Sequence, residues 1–141
     1  CLLRKEKVRL SVQLTRLQKV IIWSIDIGFI VYWCFIIFRV MPPEMMFDGY
    51  EKREVQAWNW SFLPLDILAA FTGIVAQTTK RLNAAVFLII SLVLTAVAGG
   101  MALAYWVILG YYDMLWWAPN LFLFFFPLWP LYHFAIKPER S

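Results

Sequence analysis

The sequence has little of what site chemistry usually requires. Its 141 residues hold one histidine and two cysteines, and only 16% of them are charged. A structural zinc site takes four Cys or His ligands, and Cys1, Cys34 and His133 cannot supply them. Cys34 lies inside an apolar run and Cys1 at the first position, so no disulfide is expected between them. No glycine-rich phosphate loop, GxSxG elbow or HExxH pair occurs, which argues against nucleotide-dependent and classical hydrolytic enzymes. The expectation is therefore no catalytic set, no metal and no cofactor. No cleavable signal peptide is visible either. Cys1 in place of Met points to residues upstream, and the basic run that follows argues against lipoprotein processing.

What the chain does have is apolar residues. They make up 62% of it, and aromatic residues make up 18%. Soluble domains are about 45–50% apolar and about 25% charged, so this chain needs a solvent other than water. Four apolar segments, Val20–Val40, Trp58–Gln77, Asn83–Leu109 and Leu115–Ile136, are each long enough to cross a bilayer as helix. Their continuity lacks the in–out alternation of a barrel strand. The fold class expected is all-α, an integral membrane four-helix bundle occupying residues 20–136, with a short tail at 137–141.

Lysine and arginine set the orientation. Arg4, Lys5, Lys7, Arg9, Arg16, Lys19, Lys80, Arg81, Lys137 and Arg140 fall on one side of the spans. Arg39, Lys52 and Arg53 fall on the other, among Glu44, Asp48, Glu51, Glu54 and Asp113. The positive-inside rule then puts both termini in the cytoplasm. The net charge of +4 follows from topology and does not call for nucleic acid as a partner. Residues 1–19 have Leu3, Leu10, Leu14 and Leu17 on one arc, with Lys5, Arg9, Arg16 and Lys19 roughly opposite. That pattern suits a basic amphipathic helix on an anionic leaflet, a solvated extension of the first span, or a partner-binding helix.

Tryptophans 23, 58, 60, 116 and 117 lie near predicted span ends, where amphipathic rings favour the headgroup layer. In the fourth span Pro119 is expected in the first turn, and Pro127 and Pro130 should bend the helix.

Two aspartates lie within spans, Asp26 in the first and Asp66 in the second. Each costs about 2.5–3.5 kcal/mol at a helix centre, so each should face protein or water. On the second span Asn59, Asp66, Ala70, Gly73 and Gln77 form a polar and small-residue stripe that must face the bundle. The third span carries a matching stripe, Ser91, Thr95, Ala98, Gly99 and Ala102. Ala96, Gly100 and Ala104 recur every four residues on another face, which suits a close helix contact, within the chain or in a homodimer. A rise of about 1.5 Å per residue brings Asp66, Thr95 and Tyr32 to nearly one level, with Trp33 a residue further. A polar centre at Asp66 is expected, with Trp33 or Tyr32 and Thr95 as donors and Asn120 above it. Asp26 lies roughly 9 Å deeper, too far for a direct carboxylate pair. His133 is on a different face and is expected to be structural.

Two runs carry a family likeness. Asp26-Ile-Gly-Phe followed by Tyr32-Trp33, and Ala57-Trp-Asn-Trp-Ser-Phe-Leu-Pro-Leu-Asp66, resemble the YvaD-like family of small bacterial membrane proteins. Ile90-Ser-Leu-Val-Leu-Thr95 and Trp116-Trp-Ala-Pro-Asn-Leu121 extend the likeness over roughly residues 20–136. The resemblance implies a four-helix fold in a bacterial inner membrane and carries no function with it. The basic N-terminal segment is a longer lead than the family would have. Buried carboxylates in a Trp-rich four-helix interior are also similar in architecture to the emopamil-binding/sigma-2 receptor group, whose members bind or isomerise sterols.

The functional expectation is a non-enzymatic multi-pass protein. It would be an accessory subunit partnered by other membrane proteins, or a binder of a hydrophobic cationic small molecule around Asp66. The alternatives are a sterol-isomerase-like enzyme and a proton or cation translocator using Asp26 and Asp66. A ligand site needs a cavity that reaches Asp66, and a translocator needs a wet path joining the two aspartates.

Overall fold

The computed structural model describes residues 14–80 and 83–136. Among them there are helices and no strands: α1 (Arg16–Ile37), α2 (Arg53–Thr78), α3 (Ala84–Leu109), α4 (Met114–Phe125) and α5 (Leu128–Ile136), with a 3-10 turn at Pro43–Met45. Taking α4 and α5 as one span, Met114–Ile136, four helices are long and apolar enough to cross a membrane. Large apolar side chains point outward from all of them, Leu68, Phe71, Val97 and Phe125 included. Such a surface is suited to lipid and would be a liability in water.

The helix ends follow from local chemistry. Thr15 caps α1 by accepting from the Gln18 N–H at 3.2 Å, and the Gln18 side chain accepts from the Thr15 N–H at 3.0 Å. This reciprocal box starts the helix at Arg16. Arg16, Leu17 and Lys19 are thus in the first turn of α1, not in a separate surface helix. The rest of the proposed amphipathic segment, residues 1–13, lies outside the described residues, as do Arg81 and the tail 137–141. Gly110 ends α3 in the left-handed region, φ +74°, where a Cβ would be strained. Asp113 then caps α4 by accepting from the Leu115 N–H at 2.8 Å.

Proline divides the last span. Pro127 has no N–H to continue the ladder, and α4 ends at Phe125 before α5 restarts at Leu128. Because α4 begins at Met114, Pro119 lies beyond its first turn, inside the helix, a correction to the sequence reading. Pro64 likewise sits inside α2, two residues before Asp66.

The helices pack in chain order: α1 on α2, α2 on α3, and α3 on α4 and α5. The α2–α3 contact is the most extensive, and small residues make it possible. Ala69, Ala70 and Ala98 are buried there, and the Ser91 hydroxyl donates across to the Ala69 carbonyl at 2.8 Å. Between α3 and α4 the approach is closer still. A Cβ added to Gly99 would lie 2.6 Å from the Asn120 carbonyl oxygen and 2.7 Å from the Phe124 nitrogen. The first and last spans, α1 and α4, have little direct packing on each other.

The connection between α1 and α2 folds back over the end of the bundle. Met46 and Phe47 are buried there. The Phe47 ring meets Tyr50, Trp58, Trp106 and Trp116 at centroid distances of 5.3–6.0 Å, three of them edge-on. Trp58 also stacks on Tyr105 at 4.0 Å. Trp58 and Trp116, read from sequence as headgroup anchors, are therefore partners in an internal aromatic cluster.

Candidate functional site

Beneath this aromatic roof lies a cavity of about 470 Å³. Its walls come from all four spans, and Met41, Met45 and Phe47 of the connection line its end. Most of the lining is apolar, for example Phe29, Phe62, Ala98, Ala102 and Leu123. The polar exceptions are Tyr32, Asn59, Asp66 and Asn120, with the indole groups of Trp33, Trp106 and Trp116.

The period of α2 brings Asn59 and Asp66 to the same face, two turns apart. Each meets a ring from α1. The Trp33 indole N–H donates to Asp66 Oδ2 at 2.9 Å, and the Tyr32 hydroxyl donates to Asn59 Oδ1 at 2.9 Å. Both acceptors are buried. The other Asp66 oxygen, the Asn59 amide nitrogen and the Trp106 indole nitrogen are buried with no partner among the described residues. The wall of the cavity thus contains one under-satisfied acceptor and two under-satisfied donors. Buried polar atoms left unpaired cost about 1–3 kcal/mol each, so three in one wall is an arrangement with unused bonding capacity.

Thr95 is not part of this set. Its hydroxyl donates to the Ser91 carbonyl one turn back, at 2.8 Å, and it does not line the cavity. A helical threonine has a backbone acceptor at hand and needs no distant partner. Asn120 lines the cavity, and its amide nitrogen donates to the Trp116 carbonyl of its own helix at 2.8 Å.

Asp26 is buried outside the cavity, on the α1–α2 seam. Its carboxyl group lies against Gly73, and a Cβ there would come within 2.7 Å of Asp26 Cγ. One of its oxygens is also unpartnered. Gly73 is therefore the residue that makes room for Asp26. Gly100 faces Phe124 of α4, whose ring a Cβ would meet at 2.9 Å, while Ala96 is half-buried and Ala104 exposed. Among the described residues no group of His, Cys, Asp and Glu could hold a metal ion.

Sequence reasoning missed Trp106 and the roof. Trp106 continues the four-residue repeat of Ala98 and Ala102, which was the available signal. The roof was announced by Met41, Met45, Met46 and Phe47, a run too apolar for a purely solvated connection.

A family model described as a family of unknown function (DUF5360) matches residues 18–141. The chain is also 38% identical over 128 residues to "Uncharacterized protein YvaD" of Bacillus subtilis (strain 168), covering 89% of this chain and 96% of that protein. The chain belongs to this family. The match takes in every residue of the cavity wall named above. No solved structure matches the chain. Family membership therefore fixes kinship, and the chemistry has to be argued from the site.

Proposed function

We propose that this DUF5360 protein is a non-enzymatic membrane protein that binds a hydrophobic cationic molecule in the cavity, with the cation against Asp66. Both termini would be cytoplasmic, in a bacterial inner membrane. The observation that carries the reading is a carboxyl group in the wall of an apolar cavity, with one oxygen bonded to Trp33 and the other to nothing among the described residues. A carboxylate in such surroundings is costly without a counter-charge. An ammonium group supplies both the charge and the missing donor, while its apolar body fills the remaining space. Ligand sites of this kind are mostly apolar concavities with a few placed polar groups, and about 300–1,000 Å³ is their usual size.

The alternatives have less support. A proton or cation path would have to join Asp26 to Asp66, and the cavity reaches only the second. An accessory subunit would need no cavity at its polar stripe.

Thermal unfolding of the purified protein, with and without a series of hydrophobic amines, tests the proposal. A ligand at about a hundred times its Kd stabilises by about 2.7 kcal/mol, which corresponds to a rise of several degrees. Wild type should show that rise with some amines and not with the matching neutral hydrocarbons. Asp66→Asn should fold and show none. A wild-type protein indifferent to every amine would overturn the reading.

A further inference from the structure

We propose that the ligand reaches Asp66 sideways from the bilayer, through the gap between α1 and α4, so that the site selects amines already dissolved in the membrane. This rests on the ligand-site reading above and adds its route and its class of ligand. The spans are joined in chain order, leaving the first and last helix as the edges of an incomplete ring. Both edges nevertheless line the cavity. Gly28 on α1 and Leu115, Pro119 and Phe122 on α4 line it and are also exposed on the outer surface. Residues that belong to both surfaces mark an opening.

The opening is within the hydrocarbon. Gly28 is about 18 Å along α1 from Arg16, near the middle of the helix, and Phe122 is about 12 Å into the last span. At the aqueous end Phe47 is instead buried, 3% exposed, within its ring of aromatic partners. Gly28 is the threshold: a Cβ there would meet no atom within 4 Å. The missing side chain leaves the edge of α1 open, and a larger residue could occupy the gap without displacing a neighbour. Met45, exposed at the loop end of the cavity, marks the rival aqueous entrance.

A long-chain amine carrying a doxyl group quenches tryptophan fluorescence on contact, and Trp33 beside Asp66 makes binding visible in nanodiscs. For wild type the association rate should follow the mole fraction of amine in the bilayer, not its aqueous concentration. Gly28→Phe should slow association and dissociation together by about tenfold or more, equivalent to about 1.4 kcal/mol of added barrier. Phe122→Trp, on the opposite edge, should slow both in the same direction. Val97→Phe, at an exposed position of α3 outside the cavity lining, should leave both rates unchanged. Saturable binding whose rate follows the aqueous amine, slowed by Met45→Trp and not by Gly28→Phe, would overturn lateral access while leaving the site intact. Absence of saturable quenching in wild type would overturn the site and the route together.

Discussion

At the scale of the residue, the site depends on pairs. Trp33 and Asp66 share one hydrogen bond, and nothing else among the described residues satisfies the carboxyl group. Trp33→Phe keeps most of the ring and removes the donor. It should destabilise the protein by about 1–3 kcal/mol, the cost of an unpaired buried acceptor, read as a lower unfolding temperature. A change of nearly zero would mean that water or lipid already serves Asp66. Asp26 and Gly73 form a steric pair instead. Gly73→Ala should cost about 1–3 kcal/mol through overpacking, and Asp26→Ala should remove most of that penalty in a double-mutant cycle. Equal penalties in both backgrounds would show that the carboxyl group is not what occupies the space. The pairing at Asp66 was partly legible in the sequence, since depth left Trp33 or Tyr32 as the donor from α1, and the structure pairs Trp33 with Asp66 and Tyr32 with Asn59. The satisfaction of Thr95 was not, because choosing between a local carbonyl and a remote partner requires the coordinates.

At the scale of the element, glycines decide how closely the third and fourth spans approach. Gly99 and Gly100 are adjacent, yet they meet different atoms. Gly99 faces the α4 backbone, whereas Gly100 faces the edge of the Phe124 ring. Alanine improves helix propensity by about 1 kcal/mol over glycine. Gly100→Ala should therefore come out near neutral, because a ring can shift. Gly99→Ala should remain destabilising by about 1–3 kcal/mol, because two backbones must separate. Unfolding of the two variants side by side checks this, and the reverse order would contradict the packing described. The small-residue repeat in the sequence indicated close contact but not which glycine carries it. The roof was less legible still. Hydropathy windows see spans, and the burial of Met46 and Phe47 arises from what the bundle end offers them, a ring of aromatic faces.

At the scale of the whole molecule, the all-α character and four apolar helices were plain from composition and continuity alone. The cavity was not, because its wall is assembled from all four spans and the connection, which only the packing brings together. Orientation makes a prediction of its own. The positive-inside reading puts ten basic residues on the cytoplasmic side and three on the other, so a cysteine introduced near Asp48 in a Cys34→Ser background should react with an impermeant maleimide in intact cells. One that reacts only after permeabilisation would invert the topology. The central claim is that the cavity at Asp66 holds one hydrophobic amine, and equilibrium binding of a radiolabelled long-chain amine to nanodisc-embedded protein tests it most directly. The account predicts a saturable component of one amine per chain above lipid partitioning, lost in Asp66→Asn. Uptake that rises in proportion to lipid, identical in wild type, Asp66→Asn and empty discs, would contradict it.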